Sequence, residues 1–73
     1  MSTDELGRLI QVLNSADPAD YDAARLAVAD EIRSKFPPGT KVPVEAFDRM
    51  LGAAGLVDKE LHVAPIAALV NRD

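Results

Sequence analysis

Cysteine is absent from this 73-residue chain, which excludes a disulfide staple and any thiolate metal site. Histidine occurs once, so a structural zinc centre lacks its nitrogen ligands too. No apolar run reaches the roughly eighteen residues that a membrane-spanning helix needs. Net positive charge is missing from both halves of the chain, and the whole carries −4. Acidity without a basic stripe argues against binding a phosphate backbone or an anionic membrane. The opening Met1-Ser2-Thr3-Asp4-Glu5 is acidic where a secretion signal is basic, and no apolar segment of such a signal follows. The expected compartment is the cytoplasm, with which the lack of cysteine is compatible.

Reactive groups are equally scarce. One His, one Tyr and scattered Ser and Thr do not assemble a nucleophile, a base and an orienting group. Each of the twelve acids has a structural use as a cap, a dipole partner or a member of a solvated pair. The chain is therefore expected not to be an enzyme, with no catalytic residue, no cofactor and no metal.

What the chain does have is a break. Phe36-Pro37-Pro38-Gly39-Thr40-Lys41-Val42-Pro43 places three prolines in eight residues. They remove three backbone donors and fix three φ angles, so neither a helix nor a central strand runs through. Helical periodicity stops before this connector and restarts beyond it. Each side is too short to bury a core of its own, which makes the chain one domain.

The expected fold is all-α: a single small domain of four helices, two helical hairpins joined by the proline-rich connector. The first helix is predicted over about residues 3–14. Ser2 and Glu5 have capping-box spacing, Leu6, Leu9, Ile10 and Leu13 form one stripe, and Asp4 pairs with Arg8 on the wet side. The second is predicted over about 18–36, capped by Asp17 with Pro18 at its first position. Its seam is Tyr21, Ala24, Val28, Ile32 and Phe36, and Glu31 faces Lys35. Leu26 falls away from that seam; it either widens the buried face with Ala29 or lies exposed. The third is predicted over about 43–54, with Val44, Phe47, Met50, Leu51 and Ala54 in a narrow arc. Gly55 follows as a left-handed cap, with Leu56 as its apolar contact. The last segment, 58–71, contains Pro65 and is expected to break near 62–65: a short turn over 58–62, then a helix from about 64 to 71.

Several patterns invite a sharper reading. Asp17, Asp20 and Asp22 resemble an oxygen-donor cluster, but Pro18 and a helix onset break calcium-loop geometry. They read instead as helix-start acids. Gly39-Thr40-Lys41 holds phosphate-loop residue types in the wrong order and after a helix, so it reads as a turn in which Gly39 takes a positive φ. His62 lies four residues after Asp58 and could pair with it locally. A structural role for His62 is the simpler reading of a lone imidazole. None of Ser2, Ser15 or Ser34 stands in the Asp-Ser-Leu setting that carries the prosthetic arm of acyl carrier proteins.

Ile32-Arg33, Phe36-Pro37-x-Gly39 and Val42-Pro43, running into an apolar helix, resemble a family of small actinobacterial helical proteins. That family's pattern is Leu-Arg-x-Gly-Tyr-Pro-x-Gly-Val-Pro followed by a Leu-rich helix. The resemblance covers residues 32–51, needs an insertion at Thr40-Lys41, and differs in its aromatic residues. It implies a compact helical fold and no activity, since the family has none established. A composition rich in Ala, Asp, Val and Arg is associated with an actinobacterial or phage source.

A core this small supplies about 3–5 kcal/mol, and folds of this size commonly add a staple or a partner. Leu61 to Val70 has one polar side chain, His62. A segment apolar nearly all round is wrapped by its own helices or buried against another chain. The leading expectation is a small acidic non-enzymatic protein-interaction module whose partner is another protein or a second copy. Leu26, Leu61, Ile66, Leu69 and Val70 are its candidate partner-binding residues. The alternative is a helix-turn-helix-like transcriptional or nucleic-acid-associated regulator using the third and fourth helices. Its reading helix would present Val63, Ala64, Ile66, Ala67 and Leu69, with only Asn71 and Arg72 able to address bases, so nucleic acid is the less favoured partner. An accessory subunit whose partner supplies the chemistry is a third option.

Overall fold

The computed structural model describes residues 2–37 and 39–71, with side chains from Glu5 onward. The expected Ser2–Glu5 box and Asp4–Arg8 pair, together with any role of Pro38 and Arg72, lie outside the described residues and side chains. Four α-helices follow in order: α1 (Ser2–Ser15), α2 (Tyr21–Arg33), α3 (Val44–Ala53) and α4 (Lys59–Val70). Among the described residues there is no strand, and no helix is long and apolar enough to cross a membrane. The fold is all-α, as its periodicity indicates.

In α1 the stripe behaves as expected: Leu6, Ile10 and Leu13 are buried and Leu9 packs against them. The second helix is shorter than predicted at both ends. Pro18–Asp20 forms a separate 3-10 turn, closed by the Asp20 N–H donating to Asp17 O at 2.8 Å, and Asp17 makes no side-chain cap bond. At the other end Pro37 disfavours the helical region for Phe36. The chain tightens there into i→i−3 bonds, Lys35 N–H to Ile32 O at 3.0 Å and Phe36 N–H to Arg33 O at 3.2 Å. The predicted Glu31–Lys35 pair is present at 3.1 Å.

The connector turns as its residues require. Thr40 N–H donates to Pro37 O at 3.2 Å, and Gly39 takes φ 85°. Pro43 stands just before α3 rather than inside it, and its carbonyl accepts from Ala46 and Phe47. Phe47 and Leu51 are fully buried, whereas Val44 is exposed, so the predicted arc is narrower than five residues. The end of α3 is a complete Schellman motif. Gly55 has φ 102°, Gly55 N–H donates to Gly52 O at 3.1 Å, and Leu56 N–H donates to Leu51 O at 2.9 Å. Leu51 and Leu56 are both core residues, which gives the motif its apolar contact.

Two asparagine amides hold the loops. Asn14 donates from Nδ2 to Gly55 O at 2.9 Å and accepts from Val57 N–H at 3.1 Å. Asn71 accepts from Val42 N–H at 2.9 Å and donates to Val42 O at 2.8 Å. Its own carbonyl accepts from Lys41 Nζ at 2.6 Å. Each amide thus stands in for a neighbouring strand, offering one donor and one acceptor to a backbone that has no secondary structure to pair with.

α2 packs on both α1 and α4, and α4 packs in turn on α3. The two hairpins meet where α2 lies on α4, and one apolar core runs through all four helices.

Candidate functional site

The expected break near residues 62–65 does not occur. α4 runs unbroken from Lys59 to Val70 with Pro65 inside it. A proline in a helix interior leaves the carbonyl four residues back without its donor. Here that carbonyl belongs to Leu61, and the donor arrives from another helix: Arg25 Nη2 of α2 reaches Leu61 O at 3.3 Å. The same guanidinium donates from Nε to Nδ1 of His62 at 3.0 Å. One side chain thereby fills the gap left by Pro65 and joins α2 to α4.

Arg25 is held from its own side as well. Tyr21, one turn earlier on α2, lies beneath the guanidinium with 5.3 Å from its carbon to the ring centroid. Tyr21 and His62 also meet in a T-shaped pair, ring centroids 4.8 Å apart at 85°. Asp22 approaches Arg25 at 3.6 Å, its carboxylate fully in water. The Arg25 side chain is itself mostly covered, with 15% of its surface exposed.

His62 is 2% exposed and is the sole buried polar residue described. Because Nδ1 accepts from Arg25, the neutral ring carries its proton on Nε2. Burial, and next the positive charge of Arg25, hold the imidazole below its ordinary range; Asp58 pulls the other way and does not prevail. Of the two readings of His62 it is the structural one that the geometry fits: the ring is buried and its bond is to Arg25 rather than to Asp58. Asp58 instead serves through its backbone, its carbonyl accepting from Leu61 and His62 at 3.1 Å each.

Above this cluster a groove runs along the α2–α4 seam. It is lined by Asp22, Arg25, Leu26, Pro65, Ala68 and Leu69. Leu61, Pro65 and Leu69 recur every four residues, so they share one face of α4. Leu26 is 46% exposed and Leu61 45%, while Leu69 is half-buried. Two of the five expected partner residues do not belong to this surface. Ile66 and Val70 are buried, at 0% and 7% exposure, against the chain's own helices, so neither offers area to a partner. Of the two readings of Leu26, the exposed one holds: Ala29 joins the buried face without it.

Arg25 carries the site, and no periodicity argument distinguishes it. The sequence signals for it are the Tyr21–Arg25 spacing and the orphan carbonyl that Pro65 creates. Among the described residues no group of three or more acids or histidines converges as a cation site. Compared with family models, curated proteins and solved structures, the chain matches none.

Proposed function

We propose that this chain is a non-enzymatic protein-interaction module, and that its partner in the first instance is a second copy of itself. The observation that carries the reading is the groove on the α2–α4 seam: Leu26, nearly half exposed, lines it with Pro65, Ala68 and Leu69, and the exposed Leu61 lies one turn before Pro65 on the same face of α4. Val12, Val44 and Val57 are exposed elsewhere, and what sets this seam apart is that Leu26, Pro65 and Leu69 line one groove, the kind of apolar surface a partner covers. The helix-turn-helix-like reading has less support, because the exposed positions of α4 after Glu60 are Leu61, Ala64 and Ala68, which offer bases no hydrogen bond.

Sedimentation velocity over a concentration series tests the proposal. The average mass is expected to rise toward that of a dimer with concentration. Leu26→Asp, an exposed position, is expected to keep its helical circular dichroism and remain monomeric. Leu69→Asp is expected to do the same with some loss of stability, since Leu69 also packs against the core. A wild type that stays monomeric throughout removes the second copy as partner.

A further inference from the structure

We propose that the Arg25–His62 hydrogen bond is a proton-operated latch between α2 and α4, closed while the imidazole is neutral and opened when it takes a proton. The geometry carries this. Residues 57–61 are all exposed, so His62 is the first side chain of the last segment to enter the interior. Nδ1 faces Arg25 Nε at 3.0 Å as an acceptor. A protonated ring has donors at both nitrogens and no lone pair to offer, and it would stand as a second cation beside the guanidinium.

Withdrawal of Arg25 has a second consequence specific to this chain. The same guanidinium supplies the donor that Leu61 O lacks because of Pro65. Losing it leaves Leu61 O to water and removes both bonds by which Arg25 pins α4 to α2. Acceptors wait for both cations. Asp22, already at 3.6 Å from Arg25 on α2, takes the guanidinium outward, and Asp58 at the start of α4 is the anion that draws the imidazolium. Tyr21 completes the α2 side of the cluster. On α3 the carboxylate of Asp48 is engaged with Lys59 at 3.8 Å. The latch stands whether or not the groove above it is occupied.

The sign follows from linkage. Burial and Arg25 lower the affinity of the folded-state imidazole for protons, whereas in the unfolded chain it titrates near 6.5. Below that pH the unfolded or opened form binds the proton that the closed form refuses. Stability present above 6.5 is therefore lost as pH falls, until the folded-state midpoint is passed.

The experiment is an NMR titration of the His62 Cε1–H in the full chain, paired with amide exchange along α4 at pH 7.5 and 5.5. The ring is expected to titrate below 6.5. The opening equilibrium of α4 around Pro65 is expected to rise with acid, by up to about tenfold per pH unit for one proton. His62→Asn keeps an acceptor near the Nδ1 position without titrating, and its opening equilibrium is expected to be the same at both pH values. Should that variant not fold, Arg25→Met replaces it and is expected to move the His62 midpoint up. A wild-type midpoint at or above 6.5, an opening equilibrium indifferent to pH, or a midpoint unmoved by Arg25→Met overturns the latch.

Discussion

Asn71 and Asn14 make the same pair of bonds in different surroundings, and their removal should therefore cost different amounts. The amide of Asn71 meets both polar groups of Val42, a residue 8% exposed, and these bonds are partly buried. Asn71→Ala leaves that backbone N–H and C=O short of partners away from bulk water. The expected loss is about 1–3 kcal/mol, the desolvation cost of unpaired groups. The bonds of Asn14 to Gly55 and Val57 are exposed, so water replaces the amide when it is gone. Asn14→Ala is expected to cost less than about 1 kcal/mol. Urea midpoints of the two variants against wild type check both values. Equal losses would mean that burial does not set the difference. Neither side chain stands out in the sequence, because a polar residue ending an apolar stripe looks like the end of a helix and nothing more.

Helix α4 is where local rules and the whole fold disagree. Pro65 alone predicts a break, yet the helix persists: its buried face packs in the core, and Leu61 O accepts from a residue 36 positions away in the chain. That makes Arg25 and Pro65 energetically coupled, which a double-mutant cycle reads directly. Pro65→Ala restores a local N–H for Leu61 O and is expected to stabilise the fold by about 1–2 kcal/mol, less than the full proline penalty because Arg25 already offsets part of it. Arg25→Met in the wild-type background is expected to cost about 1–3 kcal/mol, chiefly because it strands the buried His62 Nδ1, whereas the exposed Leu61 O loses only the net worth of one hydrogen bond to water. In the Pro65→Ala background the same change should cost less by up to about 0.5–1 kcal/mol, because Leu61 O then has a local donor and no longer depends on Arg25. Additive losses would show that the bond to Leu61 O carries no weight. The elements that were legible obey rules confined to a few residues. Leu6, Ile10 and Leu13 bury because they recur at helical spacing, and Gly55 ends α3 because a positive φ admits it. The candidate site was half legible for the opposite reason. α4 is apolar on nearly every face, so spacing does not distinguish Leu61, which faces water, from Ile66, which faces the core. Only the placement of α2 and α3 against it decides.

At the scale of the molecule, stability rests on the contact between the hairpins rather than on either hairpin. α1 reaches the rest through α2, and α3 reaches it through α4, so the α2–α4 seam is the sole broad helix-to-helix junction between the halves among the described residues. Val28 and Ile32 of α2 and Ile66 of α4 are fully or almost fully removed from water within that common core. Burying each such side chain contributes about 1.5–3 kcal/mol, and separating the hairpins returns a share of it to solvent. Two further ties cross between the halves, the Asn14 clamp on the α3–α4 turn and the Arg25 bridge to α4. Fragments of about 40 residues or fewer seldom fold without a staple. Synthetic peptides of residues 1–40 and 41–73, divided inside the connector so that Val42 stays with Asn71, are therefore each expected to show little helical circular dichroism alone. Mixed in equal amounts, they are expected to recover helicity in a concentration-dependent way, because each supplies the apolar face the other lacks. A 1–40 peptide that is fully helical and melts cooperatively by itself would make the first hairpin an independent unit. It would also shift the origin of stability from the seam to α1 and α2.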